Sequence, residues 1–193
     1  MATLASTDQS LSRYEVRNLR PGLSHELQCG VRAGMVAGLA MAVALMALCS
    51  TFLGETPFYP LQVIAAAITG SAAMGPITIR VVFIGALAHL LGPALFWGTV
   101  FGLVVWVVHP ERGMTLAWFG LLVGATAQLI DVHLLIPALS HSWATTLTPA
   151  IPLHLNLWSE NVPVAVSWIA HLAFGFALSL YPWKYDPMAK TFD

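Results

Sequence analysis

The chain has 193 residues, of which 58% are hydrophobic and 9% charged, with a net charge of −1 and a mean hydropathy of +0.76. An ordinary soluble domain carries roughly a quarter charged residues, so this balance excludes that class. It also excludes a disordered chain, a basic nucleic-acid binder and an acidic tail protein, and leaves one domain with a few membrane crossings and the lipid bilayer as its surroundings.

Residues 1–29 are polar and lack the apolar core of a signal peptide, so they predict a cytoplasmic tail. Four long apolar runs follow, at about residues 31–53, 79–108, 114–139 and 163–183. Each is long enough to cross roughly 30 Å of hydrocarbon as a helix. Backbone in lipid must bond to itself, which selects helices. The second run exceeds what a crossing needs and predicts a tilt or a kink at Pro93. Between the first two runs, residues 58–75 are apolar but short, rich in Ala and Gly, and punctuated by Pro57, Pro60 and Pro76. They predict an interfacial or re-entrant segment, with a full crossing as the alternative. The expected fold is therefore all-α: four transmembrane helices in a bundle (residues 30–183), with a short cytoplasmic tail at 184–193.

Charge orients this bundle. With the N-terminus inside, the cytoplasmic side carries Arg13, Arg17, Arg20, Arg32, Arg112, Lys184 and Lys190, and the outer side only Arg80. That is the positive-inside bias, and it predicts both termini in the cytoplasm of a cell with an inner membrane. Residues 109–113 read as a tight cytoplasmic turn. The outer loop, residues 140–162, is long and contains Trp143 and Trp158, the residue type of a membrane interface. Cys29 and Cys49 lie too far apart on one helix to form a disulfide, about 30 Å by helical rise.

Each run carries a stripe of small or polar residues, the pattern that lets helices approach closely in lipid. The first has Gly34, Gly38 and Ala42. The second has Gly85, His89 and Gly92, then Gly98 and Gly102. The third has Gly120, Gly124, Gln128 and Asp131, and the fourth Ser167, His171, Gly175 and Ser179. An offset of 82 residues matches Gly38-Leu39 with Gly120-Leu121 and Ala88-His89-Leu90 with Ala170-His171-Leu172. It predicts two helix pairs related by an axis along the membrane normal.

Asp131 is the only acid inside a run, and an intramembrane carboxyl is by default a functional candidate. Gln128 shares its helix face, whereas His133, two residues on, points elsewhere. His89 and His171 fall at similar depth in the outer half. They are candidate axial ligands for a b-type haem, which needs two imidazoles on facing helices. Copper or zinc held near the outer face, where His141, His154 and Glu160 also fall, and a quinone hydrogen-bonded by a histidine are weaker alternatives. Neither a paired metal-binding spacing nor a nucleophile motif occurs, so no catalytic or metal-ligand residue is assigned.

Phe58-Tyr59-Pro60-Leu61-Gln62, Ala88-His89-Leu90, Val132-His133-Leu134-Leu135-Ile136-Pro137 and His171-Leu172 with Phe174-Gly175 complete the pattern. From about Gly30 to Pro182 the chain resembles a loose group of uncharacterised bacterial four-span integral membrane proteins. The resemblance implies the fold but brings no activity. It suggests an accessory component of a respiratory or other electron-transfer assembly. The functional expectation is a non-catalytic accessory subunit bound to other membrane subunits. The rivals are a haem-bearing electron-transfer protein using His89 and His171, and a small-solute transporter lined by Gln128, Asp131 and His133.

Overall fold

A computed structural model describes residues 22–110, 113–139 and 157–185. The N-terminal tail, Arg112, most of the outer loop with Trp143, His141 and His154, and the C-terminal tail lie outside the described residues. Among those described, the chain is all-helical, without strands. Helix α1 is Leu23–Leu53, α2 is Tyr59–Thr69, and α3 runs through Ile79–Val108. Helix α4 covers Met114–Leu139, α5 is the single turn Leu157–Asn161, and α6 is Val164–Tyr185.

Three of these, α1, α3 and α4, are long and apolar enough to cross a membrane. Helix α6 has 22 residues, about 33 Å by helical rise, but its apolar stretch Val164–Leu180 is shorter than the other three. The four-span expectation is thus met by three helices on length and composition, with the fourth falling just short. Helix α2, at 11 residues, spans only about 16 Å. It is too short to cross, in keeping with the segment read as interfacial or re-entrant.

Helix α1 starts at Leu23, inside the stretch expected as polar tail. Its first turns are held because Gly102 lets α3 approach the backbone at Glu26 and Leu27. Along α1, Ala33, Ala37, Met41, Leu45 and Cys49 form one buried stripe at four-residue spacing. Met35, Val36, Leu39, Val43 and Phe52 on the opposite side are exposed. An exposed face this apolar suits hydrocarbon rather than water.

Helices α1 and α6 lie side by side, α3 flanks α1, and α4 flanks α6. The second half of α3 also touches α4 and closes the bundle. Helix α2 packs on the first half of α3 and touches α5, so both short helices sit at the end remote from Leu23.

Two glycine crossings set these distances. In the first, a Cβ on Gly30 would lie 2.3 Å from the Gly98 carbonyl oxygen, and one on Gly98 would lie 2.5 Å from the Gly30 carbonyl and 3.0 Å from Gly34 Cα. In the second, a Cβ on Gly120 would lie 2.2 Å from the Gly175 carbonyl oxygen, and one on Gly124 2.3 Å from that of His171. Backbone carbonyls cannot step aside as a flexible side chain can. Both crossings join antiparallel neighbours and use the N-terminal half of the first helix with the C-terminal half of the second. Two equivalent helix pairs therefore exist. Gly30 and Gly34 correspond to Gly120 and Gly124, however, a register different from the 82-residue offset.

Two expected packing glycines behave differently. A Cβ on Gly92 would meet nothing within 4 Å, so this position takes no part in a crossing. Gly85 faces the Leu61 carbonyl of α2, where a Cβ would come to 2.0 Å, rather than another span. Gly92 precedes Pro93, which has no N–H to give the preceding turn. There α3 widens into a π-helical stretch, Leu90–Trp97. The Thr99 hydroxyl donates to the Leu95 carbonyl within it. The kink expected at Pro93 is realised as this wide turn.

Gly120→Ala should lower stability by about 1–3 kcal/mol, because overpacking a rigid contact forces the backbones apart. Gly92→Ala should change it by less than about 0.5 kcal/mol. Thermal unfolding of the two variants in one mild detergent checks the contrast.

Candidate functional site

The polar residues of the spans divide into three groups. His89 of α3 is buried, and its Nε2 donates to the Gly38 carbonyl of α1 at 2.9 Å. Gly38 permits this reach, since it adds no side chain between the helices. A carbonyl only accepts, so the Nε2 of His89 carries the proton and Nδ1 holds the lone pair of the neutral ring. His171 of α6 is buried as well, and its Nδ1 donates to the Ser167 carbonyl one turn back at 2.9 Å. Its lone pair is on Nε2.

The second group links three helices. Trp158 Nε1 of α5 donates to Ser167 Oγ of α6 at 2.8 Å, and Ser167 Oγ donates to Gln128 Oε1 of α4 at 2.7 Å. The direction is fixed by chemistry: an indole only donates, so the serine accepts from it and passes its own proton to the amide oxygen. All three side chains are buried. A second tie lies close by, where Tyr59 Oη of α2 donates to Asn161 Oδ1 of α5 at 2.9 Å. Gln62 of α2 is buried and donates to the Gly75 carbonyl at 2.6 Å, which folds the turn after α2 back onto it.

The third group joins α3 and α4. Trp97 Nε1 donates to Asp131 Oδ2 at 2.9 Å and to Oδ1 at 3.2 Å. Trp97 is buried and ends the wide stretch of α3; Asp131 opens a second π-helical stretch, Asp131–Leu135. There the Ile136 N–H bonds back to the Asp131 carbonyl, five residues away. Phe96 packs its ring edge-on against Trp97, with centroids 4.9 Å apart, and helps hold the indole.

Gln128, Asp131 and His133 therefore do not line one path. Gln128 turns to α6, Asp131 to α3, and His133 lies on the exposed face of α4. Sequence reading did not find Trp97, Trp158 or the Tyr59–Asn161 tie. The available signal was chemical: a buried indole N–H needs an acceptor, and Asp131 and Ser167 are the span residues that accept from Trp97 and Trp158. Among the described residues, no group of three or more His, Cys, Asp or Glu side chains is arranged to hold a metal ion. Compared with known proteins, the chain matches no protein-family model, no curated protein and no solved structure.

Ser167→Ala removes the middle of the Trp158–Ser167–Gln128 relay and strands two buried polar groups. Stability should fall by about 2–4 kcal/mol, at 1–3 kcal/mol for each stranded group less what relaxation recovers. Ser167→Ala with Gln128→Leu should cost less than the sum of the single changes, and a double-mutant cycle on detergent unfolding measures the difference.

Proposed function

We propose that the chain is a non-catalytic accessory subunit of a bacterial inner-membrane assembly, with a respiratory or other electron-transfer complex as its setting. The observation that carries this reading is the use of the polar side chains. His89, Gln128, Ser167 and Trp158 bond to one another or to a backbone carbonyl of a neighbouring helix, so they tie the bundle together, while His171 bonds to a carbonyl of its own helix. In lipid such ties and close glycine packing replace a hydrophobic driving force. The exposed apolar faces of α1, α3 and α4 then meet lipid or other subunits. The electron-transfer setting follows from the resemblance to bacterial four-span proteins. In this reading α6 is the fourth span, and both termini are cytoplasmic.

A second reading has His89 and His171 hold haem b. Its support is the Nδ1–H to carbonyl bond of His171, which is how metal-bound imidazoles are usually oriented. His89 is set against it, because the Nε2 that would meet iron donates to Gly38 instead. The residues present thus offer one Nε2 and one Nδ1, and the fit is incomplete until His89 turns.

Gentle-detergent purification of the tagged full chain, with mass spectrometry of co-purifying proteins, tests the first reading. Stoichiometric recovery of oxidase, reductase or photosynthetic subunits is expected, and recovery of the chain alone overturns it. A Soret band that is lost in both His89→Ala and His171→Ala would establish the second. Reporter fusions fix the topology: a fluorescent protein should mature on either terminus, and alkaline phosphatase should be inactive on both.

A further inference from the structure

Asp131 stands apart from the other polar groups of the spans. The histidines, Gln128 and Ser167 form neutral pairs. Asp131 is an acid, and among the described residues both hydrogen bonds to its carboxyl come from Trp97. An indole N–H donates only and does not titrate, so it cannot supply a countercharge. His25, Glu26 and Cys29 belong to the first two turns of α1, and Tyr181, Lys184 and Tyr185 to the last turns of α6; between them the surrounding spans hold six further titratable or charged groups: Arg32 and Cys49 on α1, Arg80 and His89 on α3, His133 on α4 and His171 on α6. His89 and His171 spend their ring N–H donors on Gly38 and Ser167, and His133 lies on the exposed face. None of the six is hydrogen-bonded to Asp131 among the described residues.

The backbone gives an independent observation. Both helices leave α geometry where this pair meets, at Leu90–Trp97 and at Asp131–Leu135. Wide turns of this kind recur at functional sites, and each shifts carbonyls out of the regular ladder. Asp131 is also only half-buried.

We propose that Asp131, held by Trp97 between the two wide turns, is a proton-binding site within the bundle. One O–H bond forms on Oδ1 or Oδ2, the proton comes from water, and release reverses the step without electron transfer. The Trp97 N–H bonds the carboxyl in either state and holds it in place throughout. This site does not depend on a partner subunit, so it stands or falls separately from the accessory reading.

The test uses the full chain in mild detergent and dicyclohexylcarbodiimide, an apolar reagent that adds to protonated carboxyls to leave a stable N-acylurea. Peptide mass spectrometry reads the adduct at Asp131 across a pH series. The adduct is expected at low pH and should fall roughly tenfold per pH unit beyond the midpoint. Sodium chloride at fixed pH should not change it. Trp97→Phe removes a donor to the charged form and should move the curve about one pH unit higher. An infrared protonated-carboxyl band of the unaltered protein that titrates with the same curve needs no variant and should agree. The proposal is overturned by no adduct at Asp131 at any pH, by a pH-independent adduct, or by protection with sodium chloride, which would make the site one for a metal cation. An unmoved curve in Trp97→Phe overturns the part assigned to Trp97.

Discussion

Gly30 and Gly34 of α1 meet Gly98 and Gly102 of α3 backbone to backbone, and Gly120 and Gly124 of α4 meet Gly175 of α6 in the same way. The rest of the molecule depends on these two crossings. Helices in lipid gain nothing by hiding apolar side chains from lipid tails, which are equally apolar. They gain by dense contact, and contact energy falls off steeply with separation. A carbonyl oxygen that would sit 2.2–2.5 Å from an added Cβ allows no larger residue at these positions. Close approach also fixes height and rotation, and so determines which side chains can meet.

The polar ties follow from that geometry. His89 reaches the Gly38 carbonyl because α3 already lies against α1, two turns from the glycine contact. Ser167 reaches Gln128 because α6 lies against α4 through Gly175. Trp158 then joins from α5 and fastens this short helix to the bundle. Tyr59 and Asn161 bring α2 to the same place. The two helix pairs close on one another where Trp97 meets Asp131, and there the regular helices give way to wider turns. The least regular backbone and Asp131 thus share a location. The structural ties and the candidate chemistry are separate sets of residues: neutral pairs hold helices together, whereas the carboxyl sits between turns that have departed from the ladder.

Much of the fold was legible in the amino-acid order. Long apolar runs must become helices in lipid, because unpaired backbone costs several kcal/mol per group there. The brevity and prolines of residues 58–75 marked α2 as something less than a crossing, and Pro93 marked where α3 would depart from regularity. The glycine stripes marked the close faces, with Gly92 as the position that tertiary contact left unused. The correspondence of the two pairs was harder to see. The 82-residue offset aligned identical letters, but the crossings align Gly30 with Gly120, since what repeats is the contact rather than the residue type.

The sequence alone determined an all-helical, lipid-compatible chain, the approximate positions of its long helices and the short list of polar groups that lipid would not tolerate unpaired. These depend on local composition and periodicity, which neighbouring helices do not alter. Which polar group meets which was decided only by the tertiary structure. Gln128 and Asp131 share a helix face, yet one bonds to α6 and the other to α3. His89 and His171 sit in similar Ala-His-Leu triplets, yet one donates through Nε2 across helices and the other through Nδ1 within its own. A side chain's partner is set by the rotation and height of two helices against each other. Those are properties of the packed pair, fixed by where backbones touch, and neither helix carries them in its own sequence.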